Sequence, residues 1–172
     1  MPSITYARSM RIFDATATES ALPFDRLVPA LQARFAEGCE VPARHVHEIP
    51  VPGSAPFTSL VMPAWIPGRY YGIKTINIAP GNAARGLPGL HAIYLLFDGS
   101  TGAPVACIDG DVLTARRTAA ASALAAQWLA RPDARHLLVV GAGRIASLLP
   151  QAYRQVREIA QVSVWARAPR QA

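Results

Sequence analysis

The stretch that most narrows the fold is "HLLVVGAGRIASLLPQAYRQVREIAQVSVWAR", residues 136–167. An apolar run meets a glycine turn, then a segment with helical apolar spacing, then a second apolar run. The whole takes about 30 residues, the length of one β-α-β unit. Strands joined in this way run parallel, and parallel strands in α/β proteins are covered on both faces. Two such strands and one helix cannot supply that cover. The last 35 residues are therefore expected to be held weakly, or to pack on something beyond them; only five residues follow Arg167.

Upstream the texture changes. From 44 to 108, short apolar runs alternate with Pro and Gly: "RHVHEI", "FTSLVM", "YYGIKTINI", "HAIYLLF" and "PVACID". This is the pattern of strands. The last two predict an antiparallel hairpin, since Asp98-Gly99 and Thr101-Gly102 supply turn chemistry between them. Ahead of the strands, "LPFDRLVPALQARFAEG" spaces Leu27, Leu31 and Phe35 four apart and stops at Gly38, predicting an amphipathic helix whose start Pro29 leaves open. After them, "LTARRTAAASALAAQWLA" predicts a second helix, N-capped by Thr114 and ended by "RPDA", with alanines that suit close packing. The fold class expected is α/β: a mixed, mostly antiparallel α+β domain over 1–113, a connecting helix over 114–133 and an incomplete Rossmann unit over 134–172.

Composition excludes several classes of function. Apolar residues are 51% and charged residues 16%, which is enough to bury a core. The net charge of +6 would permit a nucleic-acid partner, but the arginines are scattered and Arg116-Arg117 is the one adjacent pair. A nucleic-acid surface clusters its cations among aromatics, so small anionic ligands are the better expectation. Cys39 and Cys107 lack both C-x-x-C and zinc spacing, which points to a reducing compartment. "MPSITYARSM" has no apolar leader segment and nothing in the sequence approaches 18 consecutive apolar residues, so a cytoplasmic protein off the membrane is expected.

The glycine turn carries the first chemistry. Gly141, Gly143 and Ala146 form G-x-G-x-x-A where a strand should become a helix. In a dinucleotide site the first glycine makes the turn, the second lets the backbone approach the pyrophosphate, and the small third residue lets helix and strand pack. Unpaired N–H groups of the helix start would then face the phosphates. The bland alternative is a glycine-rich connection with no ligand. The acidic residue that holds the adenosine ribose normally follows about 20 residues on; here Ala166 and Arg167 stand there. A guanidinium would pair with a 2′-phosphate, so NADP(H) is favoured and NAD(H) remains possible.

Lys74 is the single lysine among 17 basic residues. In an extended segment it shares its face with Ile76 and Ile78. An ammonium on an apolar face needs a partner, and a buried lysine shifts its pKa more readily than arginine; the alternative is a lysine reaching past the strand end to water. Arg116 and Arg117 fall in the predicted first turn of the alanine-rich helix, where cations oppose the dipole unless an anion binds. Arg117 is thus a candidate grip for a carboxylate or phosphate, against two exposed side chains bending into water. His45 and His47 could share a strand face, but no third ligand at fixed spacing accompanies them, so no metal site is expected.

Taken in order, Lys74, "PGN" at 80–82, "GLP" at 86–88, "TG" at 101–102, "LTARRTAA" and "VVGAG" make the chain resemble the ornithine cyclodeaminase/mu-crystallin family from about residue 22 onward. The resemblance implies a substrate and dimerisation domain followed by a Rossmann domain, with the active site between them and a homodimer as the assembly. It makes Arg44, Lys74 and Arg117 the cationic trio that holds the substrate carboxylate, with Lys74 catalytic. Gly141, Ala142, Gly143, Arg144 and Ile145 become the pyrophosphate turn, and Ala166 and Arg167 the adenosine-ribose end. Where cyclodeaminases carry a threonine after "GL-x", this chain has Gly89, and "VWAR" is closer to the ending of NADPH-using ketimine reductases. The activity implied is NAD(P)H-dependent reduction of a cyclic ketimine of the Δ1-pyrroline-2-carboxylate type to an L-amino acid. Ornithine cyclodeaminase, L-alanine dehydrogenase and a non-catalytic dimerising or ligand-binding module are the alternatives. Relatives of this family are longer by well over a hundred residues, so the chain is expected to be the N-terminal part of such an enzyme, with little activity alone.

Overall fold

The computed structural model describes residues 9–167, which fall into two compact units. The first takes the residues up to Thr18 together with Cys39–Asp111; the second takes Glu19–Gly38 and the residues from Val112 onward.

The first unit is a six-stranded sheet. Its strands are β1 (Arg11–Phe13), β2 (His45–Ile49), β3 (Phe57–Ile66), β4 (Tyr70–Ile78), β5 (Leu90–Asp98) and β6 (Pro104–Asp109). They lie in the order β1-β6-β5-β4-β3-β2, with β2 to β6 an antiparallel meander and β1 parallel to β6. "YYGIKTINI" and "PVACID" coincide with β4 and β6, and "FTSLVM" continues to Ile66 through Pro63. Pro63 lacks an N–H, and it sits past the end of the β2 ladder at His45↔Val61, where no neighbour asks for one. The expected hairpin is present. Asp98 Oδ1 organises its loop by accepting from the backbone N–H and hydroxyl of both Ser100 and Thr101, at 2.5–3.0 Å. These donors, Ser100 first, hold its carboxyl down at about 2. β1 has too few residues to show a period, and α1 (Ala15–Ala21) is opened by Asp14, whose carboxylate caps the Ala17 N–H at 2.8 Å.

The second unit is built on α2 (Phe24–Glu37) and α3 (Gly110–Leu129). Phe24, Leu27 and Val28 pack on Ala119, Ala120, Ala123 and Leu124, and Ala152 closes the same cluster. The alanines leave room for this approach, and that contact draws α2 away from the 1–113 segment to which the sequence assigned it. Leu27 is buried as expected, but Phe35 is 70% exposed, so the apolar stripe turns inward one helical turn earlier than its four-residue spacing suggests. α3 also begins four residues before Thr114, which lies inside the helix rather than at its cap. Arg116 and Arg117 therefore stand in the second turn, outside the strongest dipole field.

β7 (His136–Val140) and β8 (Gln161–Trp165) pair in parallel, as the β-α-β reading requires. The helix between them is much shorter than its apolar period predicts: a 3-10 turn at Ala146–Leu148, then α4 (Leu149–Tyr153). Pro150 sets where it starts, since it cannot donate to the Ala146 carbonyl and is tolerated only where a helix starts afresh. Arg157 then closes α3 from outside. Its guanidinium donates to the carbonyls of Gln127 and Ala130 at 2.9 Å and of Arg131 at 3.2 Å, a cation on the negative end of the helix. Leu138, Val140 and Trp165 on the strand pair remain 56–70% exposed, in line with the expected lack of cover. Among the described residues no helix is long and apolar enough to cross a membrane.

Candidate functional site

Lys74 sits in the middle of β4, half-buried, directly opposite Met62 on β3 and Tyr94 on β5. Residues facing one another across a sheet share a face, so Tyr94 lies beside Lys74 with Gly72 and Ile76 above and below. Gly72 has a specific job here. A Cβ at that position would stand 1.9 Å from the Tyr94 hydroxyl, so the missing side chain is what lets the phenol lie over β4. Burial, and secondarily negative charge at Cys39, push the Tyr94 phenol above its ordinary value of 10.0 and keep it protonated. Of the two isoleucines expected on the Lys74 face, Ile76 is buried and Ile78, at the strand end, is 42% exposed.

Arg44 is exposed, one residue ahead of β2. β3 stands between it and β4, a backbone separation of about 10 Å at ordinary strand spacing, which two long cationic side chains can span. His45 and His47 stack with ring centres 6.4 Å apart on the exposed β2. Among the described residues no three His, Cys, Asp or Glu side chains gather into a metal-holding group.

The second unit carries Arg117, which is exposed on α3. Its neighbour Arg116 is not the solvated side chain that the bland reading allowed. It is 5% exposed, donates from Nε to the Leu22 carbonyl at 2.8 Å and from Nη1 to Glu19 at 3.0 Å, and stacks on Phe24 at 4.3 Å. One arginine of the pair is thus structural and one is free to face a ligand.

The glycine turn follows β7 as expected. Gly141 takes φ +116, a conformation that disfavours any side chain, and its N–H donates to the Trp165 carbonyl at 2.7 Å. That bond sets the turn against the end of β8, so Gly141–Gly143 and Ala166–Arg167 lie side by side at the carboxyl ends of two parallel strands. This is the edge where open α/β sheets bind ligands. No atom lies within 4 Å of the place a Cβ would take on Gly143, so a phosphate could approach that backbone directly. An open hollow of about 470 Å³ adjoins the turn, lined by Leu138, Val140, Gly141, Gly143, Ile145 and Tyr153. Arg144 and Ile145 are exposed within the turn, Ala142 stands exposed between the glycines, and no carboxylate occupies Ala166 or Arg167. The residues fit a pyrophosphate at the turn; the short helix behind it weakens the dipole that would assist.

Tyr94 is the residue that sequence reasoning missed. Counting back through the hairpin from Asp98-Gly99 would place it opposite Lys74, but only the register makes that pairing explicit.

The sequence profile of the ornithine cyclodeaminase/mu-crystallin family matches residues 16–172. The chain is 50% identical over 116 residues to the Δ1-pyrroline-2-carboxylate reductase of Paracoccus denitrificans, covering 67% of this chain and 37% of that protein. Its fold matches the Thermococcus litoralis Δ1-pyrroline-2-carboxylate reductase solved with NADH and L-proline, at TM-score 0.71 and 29% identity over 95% of this chain and 51% of that one. An archaeal alanine dehydrogenase dimer with bound NAD matches at TM-score 0.79 and 30% identity, over 90% of this chain and 48% of that one. The chain spans about half the length, or less, of the curated relatives it matches. With the mixed, mostly antiparallel sheet, the glycine turn at a parallel strand pair and the profile match in agreement, the chain belongs to the ornithine cyclodeaminase/mu-crystallin family.

Proposed function

We propose that the protein reduces a cyclic ketimine of the Δ1-pyrroline-2-carboxylate type to the corresponding L-amino acid, using a reduced nicotinamide dinucleotide. The observation that carries this reading is Lys74, the single lysine of the sequence, held half-buried in mid-strand between Met62 and a protonated phenol at Tyr94. The names of the Paracoccus and Thermococcus relatives support the substrate class. Lys74, Arg44 and Arg117 take the substrate carboxylate by charge-assisted hydrogen bonds, and fixing that group orients the imine carbon. Lys74 is the catalytic member. The dinucleotide supplies the hydride that ends on that carbon, and the nitrogen takes a proton.

The turn at Gly141, Ala142, Gly143, Arg144 and Ile145 holds the pyrophosphate. We assign NADP(H) as the preferred cofactor because Ala166 and Arg167 offer a guanidinium and no carboxylate, although the two solved relatives carry NADH and NAD. In the whole protein, 1–113 apart from α2 serves substrate binding and dimerisation, 114–133 connects, and 134–172 opens the dinucleotide domain. The dimer is supported by the alanine dehydrogenase neighbour. The cytoplasm is the compartment we assign, in keeping with two free cysteines.

Substituting Lys74→Ala, in a version that spans the length of the relatives, is expected to cut turnover at least about a hundredfold, since binding lost in the transition state acts directly on rate. The sheet should keep its circular dichroism. Unchanged kinetics would remove Lys74 from the mechanism. A non-catalytic ligand-binding module is the second reading, favoured by the five-residue α4 behind the glycine turn. Calorimetric titration of NADPH separates the two: heat with saturation supports the reductase, and none from a folded chain supports the module.

A further inference from the structure

We propose that the sheet carries a second small-molecule site on the face opposite Lys74, one that takes a carboxylate attached to a small apolar body. Asn77 on β4 and His91 on β5 are direct register partners. Asn77 is three residues from Lys74, and side chains alternate along a strand, so the pair projects from the reverse side. The 3-10 segment Pro80–Arg85 and the loop before Phe57 flank them, leaving a half-open hollow of about 280 Å³ in which His91 stays exposed. At roughly 30 Å³ per water-sized unit, that is space for about nine non-hydrogen atoms.

The wall has the chemistry of a monoanion site. Arg85, His91, Asn77 and Ser54 supply its polar groups, Val51 and Phe57 its apolar ones, and no carboxylate lines it. Among the described residues no ion pair engages Arg85, so its fork is available to a planar anion. Asn82 Nδ2 donates to the Pro88 carbonyl at 2.8 Å, which fixes the amide, and the same nitrogen faces His91 Nε2 at 3.5 Å. In a neutral imidazole, Nε2 accepts from that amide. Ser54 enters the wall because residue 81 is glycine: a Cβ there would stand 2.5 Å from the Ser54 hydroxyl. A single guanidinium beside an imidazole, an amide and a hydroxyl suits a carboxylate, and the Val51 and Phe57 side calls for an apolar body behind it.

Benzoate, a carboxylate on a ring of about the right size, and benzamide, its neutral counterpart, probe the site directly. Titrated into the protein carrying isotope-labelled histidine, benzoate is expected to move the His91 ring resonances saturably in about the millimolar range. Arg85→Gln should weaken that binding at least tenfold with the fold intact, since Arg85 is exposed, and benzamide should leave His91 unmoved over the same range. Lys74→Ala should change nothing in this titration. The proposal is overturned if His91 does not respond, if Arg85→Gln binds as the parent does, or if Lys74→Ala abolishes the response, which would place the carboxylate on the other face. Because ketimine turnover is not measured, the proposed reductase activity can fail without affecting this result.

Discussion

Replacing Arg116 with alanine should be among the most damaging single changes in the second unit. The side chain is 6% exposed and makes three contacts of different worth. The hydrogen bond from Nε to the Leu22 carbonyl is charge-assisted and about 1.5–3 kcal/mol is lost with it. Stacking on Phe24, well shielded from water, adds about 1–2 kcal/mol. The ion pair with Glu19 adds little, about 0–1 kcal/mol, because that carboxylate is 63% exposed and re-solvates when its partner leaves. Arg116→Ala is therefore expected to cost about 3–5 kcal/mol, a large part of a small domain's margin. Glu19→Gln should cost under about 1 kcal/mol. Urea unfolding followed by far-ultraviolet circular dichroism reads both, because α2 and α3 dominate the signal. The reasoning is refuted if the two variants lose equal stability, which would make the exposed ion pair the anchor, or if Arg116→Ala loses less than about 1 kcal/mol.

Three further outcomes follow from local geometry. Asp98 is held down at about 2 from 3.8 by Ser100 and Thr101, so the stabilisation it lends the hairpin is full above its ordinary range and is lost as the pH falls through about 2; carboxyl NMR should show that midpoint, and Ser100→Ala should raise it. Gly72→Ala puts a methyl 1.9 Å from the Tyr94 hydroxyl and must turn the phenol out, costing about 1–3 kcal/mol, with the Tyr94 ionisation falling back toward 10.0 in an ultraviolet titration; an unmoved midpoint would show that the ring had not shifted. Pro150→Ala restores a donor to the Ala146 carbonyl and should extend α4 back toward the glycine turn, raising helical ellipticity; no gain would mean that a residue other than proline holds back its start.

The two strands "YYGIKTINI" and "PVACID", the hairpin around Asp98 and the glycine turn after β7 could be read from residue order alone. Each rests on short-range sterics: the alternation of a pleated strand, the turn habits of Asp and Gly, and the φ that only Gly141 tolerates easily. Pro150 was equally local, and its effect on the helical run was legible in principle, yet the apolar period outweighed it in the reading. The tertiary structure decided the rest. Arg116 and Arg117 are indistinguishable neighbours in the sequence, and one is buried because its acceptors at Leu22 and Glu19 stand 94 and 97 residues earlier. Phe35 keeps the spacing of Leu27 and Leu31, but the alanine face of α3 meets the Phe24, Leu27 and Val28 side of α2 and leaves it in water. Register likewise set Tyr94 opposite Lys74 and His91 opposite Asn77, on two faces of one sheet. A strand's own residues determine which of them alternate; only pairing with its neighbours fixes what each side chain meets, because hydrogen-bond register is a relation between distant segments.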